Sequence, residues 1–501
     1  MQNTKTLTIV GGGAAGWMTA IYLNKYFNSQ QKNFHISVIE SPDIGVIGVG
    51  EATVHSIRYF FAAMGLDENE LLRSAHGTLK TGIMFRNWMQ PVAGKTHEYF
   101  HPFEQQQLGQ DIDISSNWLL SARFAQERYD EGVSLSAHLI KSLQSPKTAR
   151  SAPYQGVVPY GYHLDAVLMA RYLREHAVNA GVVHIEDTIC EVDADHSVIM
   201  AVLSKTQRYS ADIFIDATGF NGLLINALQS DNWQSFADAL PCNKAVALQR
   251  EHDANYTPKP YTVATALTNG WAWQIDLSSR QGTGYVYDGN RLTPEQAEQE
   301  LREFLGPESK VLKSRHLTMQ VGCRKQFWVG NCIAIGLAGG FIEPLESTGL
   351  HLINLGARLL GTHLSTADTV QSVRDAYNRA MCGFYEDLKQ FIVLHYCLTN
   401  RDDTAFWRDA KTTAQHCQGL LDKLELWQHK ICEYHDLAGG YATTFTDENY
   451  RFILYGMQHY PSLQMKLGDS ASKPFELLQQ RVQQAVAMTV THQEYINRLH
   501  S

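Results

Sequence analysis

Thr6–Ala20 reads TLTIVGGGAAGWMTA, and this stretch decides the fold. The apolar run Leu7–Val10 predicts a strand, a glycine turn follows, and Ala14–Tyr26 has helical character. Phe34–Ile39 then predicts a second strand, ending at Glu40. Strand, helix and strand fit within roughly thirty residues, the length of a dinucleotide-binding crossover. Gly11, Gly13 and Gly16 form G-x-G-x-x-G across the first turn. The first glycine permits the tight turn, the second lets a pyrophosphate approach the backbone, and the third lets helix and strand pack closely. Ala14 and Ala15 open a helix whose N-terminus would face the phosphates. Glu40 is placed to accept hydrogen bonds from a ribose hydroxyl. The predicted class is α/β with a Rossmann-like nucleotide-binding sheet.

Two later β-rich runs, Ile213–Ile215 and Trp328–Ile335, also meet glycine turns, so the sheet is expected to draw on the first 350 residues. IDATGF (Ile215–Phe220) and VGNCIAIGLAGGF (Val329–Phe341) resemble the second and third nucleotide-contacting segments of FAD enzymes. On that resemblance Gly336 and Leu337 join the cofactor-binding residues. GVGEAT (Gly48–Thr53) adds a glycine turn in which Gly50 and Ala52 would pass beside the flavin. No second complete G-x-G-x-x-G is present, so reduced flavin is expected from a separate reductase. The organisation expected is a flavin-binding module over 1–355, with a pocket-forming insertion around 70–150, and a mostly helical module over 356–501. In the latter, Phe384, Leu388, Phe391, Ile392 and His395 follow the spacing of a half-buried helix.

A length of 501 residues suits two or three structural units, and 44% apolar with 19% charged residues is ordinary for a globular protein. The net charge of −9 disfavours nucleic acid or an anionic membrane as partner. The eight cysteines form no C-x-x-C pair and no zinc spacing, so no metal site is expected. Glycines interrupt the only signal-like run, and no apolar stretch is long enough to span a bilayer. Cytoplasmic residence is the expectation.

Three further segments carry the chemistry: Lys80 in TLKTGIMFRNW, Trp271 and Trp273 in GWAWQI, and Glu346 in FIEPLESTGLH. A desolvated lysine has a lowered pKa and acts as hydrogen-bond donor or nucleophilic amine. Alternate residues of a strand share one face, so the two indoles would project together. A carboxylate near the lysine can accept a proton leaving an aromatic ring. Together these segments resemble the flavin-dependent tryptophan halogenases, over most of the chain.

That resemblance implies an enzyme using reduced FAD, oxygen and chloride or bromide to make hypohalous acid. Thr348 and Gly349 would hold the halide, and Trp271 and Trp273 would shield the flavin. Lys80 would deliver the oxidant to an indole-type substrate against His101 and Phe103 of YFHPF, and Glu346 would take the ring proton. Ser347, on the substrate side, reads as a relay to the backbone. The family also suggests a homodimer. The usual motif continues with proline after W-x-W-x-I, whereas Asp276 stands here. The sequence also admits two rivals: a flavin-dependent hydroxylase and a non-catalytic flavin- or indole-binding protein. Tryptophan-specific relatives hold the amino acid with a Tyr-Tyr pair. The corresponding stretch, Tyr441–Pro461, lacks one, with Glu448 and Tyr450 as the available polar residues.

Overall fold

The computed structural model describes residues 4–45, 50–91, 94–104, 113–195, 197–253, 256–364, 370–437, 444–464 and 473–500. Residues 48–49 of the GVGEAT segment and 441–443 of the late stretch lie outside these. A six-stranded sheet forms first, in the order Trp328–Val329, Cys332–Ala334, Ile213–Asp216, Lys5–Val10, Phe34–Glu40, Val183–Glu186. Its pairings are parallel except at the Trp328–Val329 edge. Leu7 and Ile9 are wholly buried, as parallel strands covered on both faces require. The helix Ala14–Asn28 returns over this sheet after the glycine turn. Gly11 has φ +119°, and a Cβ there would collide with the Ala217 carbonyl oxygen. The run Trp328–Ile335 is not one strand: Gly330 and Asn331 are hairpin-turn residues and fold it back on itself.

A seven-stranded sheet carries Gly270–Asp276 near its centre, between Thr262–Ala266 and Gln281–Tyr287. A small third sheet joins Glu51–Ala52, Gly161–Leu164 and Thr78–Lys80. In it Ala52 and Thr78 both register with His163, from opposite sides. Two strand spacings separate the Gly50–Ala52 segment from the strand of Lys80, which is about 10 Å.

The chain beyond Gly349 is largely helical. The division expected at residue 355 falls inside the helix Gly349–Leu364, and one apolar core includes residues from both sides of it. The helix Gln371–Cys397 buries Leu388, Phe391, Ile392 and His395 as its periodicity predicts, with Phe384 half-buried. None of the described helices is long and apolar enough to cross a membrane. All eight cysteines are free thiols.

The small sheet is braced by a buried polar cluster. Glu68 accepts hydrogen bonds from Lys147 Nζ (2.5 Å), Tyr160 Oη (2.6 Å), Tyr162 Oη (2.7 Å) and the Tyr154 backbone N–H (2.6 Å). Tyr162 registers with Leu79, next to Lys80. Removing one member of such a cluster strands the others in a dry interior. Glu68→Ala is expected to lower unfolding stability by about 3–5 kcal/mol, measured by urea denaturation.

Candidate active site

The three segments expected at the cofactor converge. Gly11 abuts Ala217 of IDATGF, and a Cβ on Gly336 would lie 2.7 Å from the Cβ of Ala15. Gly13 and Gly349 face open space, where a Cβ would meet nothing within 4 Å. Each stands at the start of a helix with no acidic residue in its first turn, so backbone N–H groups are left for an anion. Ala14 and Ala15 open the first of these helices, Gly16 packs against the Gly11 carbonyl, and Leu337 is half-buried in the turn after Gly336. Glu40 remains half-buried, with Arg174 Nη1 at 3.3 Å and His184 Nε2 at 3.0 Å. Open backbone cradles beside an acidic ribose-type partner fit a dinucleotide such as FAD.

Trp271, Trp273 and Ile275 share one strand face. The indoles lie 6.2 Å apart at 60°, and Ile275 is the residue a Gly50 Cβ would touch, at 3.3 Å. Trp271 donates its Nε1–H to Glu343 at 2.9 Å. Asp276, where the resemblance expects proline, is buried and fully used. Its carboxylate accepts from Tyr256 Oη, the Lys259 N–H and Gln281 Nε2, and its carbonyl accepts from Thr78 Oγ1. The departure therefore ties this strand to the strand of Lys80.

Pro344–Glu346 forms a single 3-10 turn, and Ser347 follows in the left-handed region at φ +59°. A non-glycine residue there stores local strain, and the result is a hydroxyl turned onto Lys80. Lys80 Nζ donates to Ser347 Oγ at 2.6 Å and lies 5.0 Å from the Phe103 ring centroid. The strand edge beside it is held from outside: the Leu79 N–H donates to His492 Nε2, and the Thr81 N–H to the Pro260 carbonyl. Lys80 is 0% exposed. Burial pulls its pKa down to about 7, with the Glu346 charge opposing.

Glu346 is also 0% exposed, yet it makes no ion pair with Lys80 within 4 Å; its partners are imidazoles. His101 Nδ1 donates to it at 3.0 Å, while Asn449 Nδ2 donates to His101 Nε2 at 2.9 Å. His395 donates to the Phe391 carbonyl from Nδ1 (2.8 Å) and to Glu346 from Nε2 (2.9 Å). Burial pushes the Glu346 carboxyl up, but the two imidazoles outweigh it and hold the pKa at about 2. The chamber wall is aromatic: Phe391, Phe445 and Phe452 have centroids about 6 Å from His101, and Phe391 stacks on Phe445 at 3.9 Å. Tyr450 packs in the core against Phe391 and Trp427. Among the described residues no cluster could hold a metal ion.

Lys80, His101, Phe103, Glu346 and Ser347 are thus brought together, and the tryptophan pair adjoins them through Glu343. The sequence left His395, Asn449 and Glu343 unflagged. A histidine on the buried stripe of a helix and a second glutamate in FIEPLES were the available signals.

The lowered pKa of Lys80 has a consequence for stability. Between pH 7 and its unfolded pKa near 10.5 the unfolded chain binds one proton more than the folded one. Folding stability from this group therefore rises with pH across that window, and below it the buried ammonium is a cost. Lys80→Met is expected to exceed the parent in stability at pH 6 by about 1–4 kcal/mol, with the advantage shrinking toward pH 10. Thermal unfolding across that pH range measures it.

The sequence profile of the tryptophan halogenase family matches residues 6–473. Tryptophan 6-halogenase SttH of Streptomyces toxytricini is 34% identical, covering 99% of this chain and 98% of that protein. Tryptophan 7-halogenase RebH of Lentzea aerocolonigenes is 32% identical over 91% of this chain and 90% of its own. Among solved structures, a tryptophan halogenase from Shewanella frigidimarina superposes with a TM-score of 0.93 at 32% identity. That match covers 100% of this chain and 98% of the other. The FAD-binding Rossmann-like architecture is shared with these structures. This chain belongs to the tryptophan halogenase family, whose members are flavin-dependent oxidoreductases.

Proposed function

We propose that this protein halogenates tryptophan or a related indole, using hypohalous acid that Lys80 receives away from the flavin. The observation that carries this reading is a wholly buried lysine held by a hydroxyl, with an aromatic ring on one side and a hydrogen-bonded carboxylate nearby. Binding alone needs no such dry ammonium, which is costly to bury.

In this reading Gly11, Gly13, Ala14, Ala15, Gly16, Glu40, Gly50, Ala52, Gly336 and Leu337 hold FAD, and Thr348 and Gly349 hold chloride or bromide at the helix N-terminus. Reduced FAD, supplied by a separate reductase, provides the electrons that let oxygen oxidise the halide. Trp271 and Trp273 keep organic substrate from the flavin. Lys80 then holds the oxidant, either by hydrogen bonding or as a haloamine. The indole lies against His101 and Phe103, with Ser347 fixing the lysine. A ring carbon forms the carbon–halogen bond, the bond from halogen to oxygen or nitrogen breaks, and the ring proton passes to Glu346. A carboxylate of low basicity suffices, because a protonated arene is strongly acidic. Burial of the Lys80 and Glu346 side chains from bulk solvent protects a diffusible oxidant from hydrolysis there. Residues 1–355 supply the flavin and halide side, and 356–501 complete the chamber.

The test is reconstitution with FAD, a flavin reductase, NADH, oxygen and bromide, with tryptophan and indole as substrates. Brominated product is expected by mass spectrometry. Lys80→Ala is expected to lose it by roughly 100-fold or more, and Glu346→Gln by roughly 100-fold, with flavin still bound. Hydroxylated product formed without halide would select a monooxygenase instead.

A further inference from the structure

Consecutive residues of one helix grip the two carboxyl groups of FIEPLES: His395 holds Glu346 and Tyr396 holds Glu343. Glu343 is 0% exposed. Its Oε2 accepts from Trp271 Nε1 at 2.9 Å and from Tyr396 Oη at 2.5 Å, whereas the buried Oε1 meets no partner among the described residues. Packing an indole in this fold does not require such an acid. Trp17 and Trp118 are equally buried, and their N–H groups have no partner among the described residues.

We propose that Glu343 is a positioning residue of the halogenation reaction: by accepting the Trp271 Nε1–H it fixes the orientation in which that indole closes off the flavin. This rests on the halogenase reading above. With Oε2 accepting twice and Oε1 idle, the arrangement suits a neutral acid whose proton sits on Oε1. Burial raises the carboxyl to about 7, against the hydrogen bonds from Tyr396 and Trp271. The titratable groups facing it are Tyr396, from the helix Gln371–Cys397, and Cys242, whose Sγ lies 3.6 Å from Tyr396 Oη. Burial pushes both well above their ordinary range, so both stay neutral. Neutrality has a chemical use, because a carboxylate on the N–H would enrich the Trp271 ring and expose it to the electrophilic halogen.

The experiment measures halogenated product per NADH consumed, together with hydrogen peroxide release, for the parent, E343Q, E343L, W271F and the E343L/W271F double variant. Near-ultraviolet circular dichroism of each protein is recorded before flavin is added. If the parent makes no halogenated product, the halogenase reading fails, and this inference with it. Given product, E343L and W271F are each expected to lower coupling roughly tenfold with more peroxide, through misplacement of the ring. The double variant should be no worse than either single one. E343Q, which keeps the acceptor, restores most of the coupling and the circular dichroism of the parent. Its coupling should stay flat above pH 7, where that of the parent declines. W271F or E343L coupling like the parent, additive losses in the double variant, or no rescue by E343Q would each overturn the proposal. Should E343L fail to fold, W271F and E343Q decide it alone.

Discussion

A lysine nitrogen buried from solvent, resting on a hydroxyl instead of a carboxylate, is the constraint that the candidate site depends on. Removing an ammonium from water is expensive, and a directly paired carboxylate would be the ordinary compensation. Here Glu346 makes no ion pair with Lys80 within 4 Å and is bound instead by His101 and His395. The lysine is left close to its neutral form near pH 7, and the carboxylate stays ionised. The two groups keep different protonation behaviour in one buried chamber, as the proposed roles of electrophile carrier and proton acceptor require.

The surrounding architecture serves that arrangement. The strand Thr78–Lys80 is paired on one side to Gly161–Leu164 and capped on the other by His492 and Pro260. The Glu68 cluster braces the neighbouring strand, and Asp276 ties the tryptophan strand to Thr78. One short segment, Glu343–Gly349, then meets everything in turn: Trp271 through Glu343, the imidazoles through Glu346, Lys80 through Ser347, and the helix N-terminus at Gly349. The end of the helix Gln371–Cys397 grips that segment from behind.

Local pattern carried the parts that local physics governs. The glycine turn after Leu7–Val10, the shared face of Trp271 and Trp273, and the buried stripe of Gln371–Cys397 all follow from spacing alone. Resemblance to a family singled out Lys80 and Glu346. The partners were not legible, because hydrogen bonds such as His395 to Glu346 and Asn449 to His101 join residues far apart in the chain. Gly330–Asn331 inside an apolar run was readable as a turn, since those two residue types favour hairpins. The continuous helix through residue 355 was not, because helical character begins earlier than the change in composition.

Spatial separation of oxidant formation from oxidant use is the central claim, and anomalous diffraction tests it most directly. Crystals holding FAD, bromide and tryptophan should show the bromide signal at the Gly349 backbone and the indole against Phe103 and Lys80, with the Glu343–Ser347 segment between them. An indole stacked on the flavin, with Lys80 remote from it, would contradict the account.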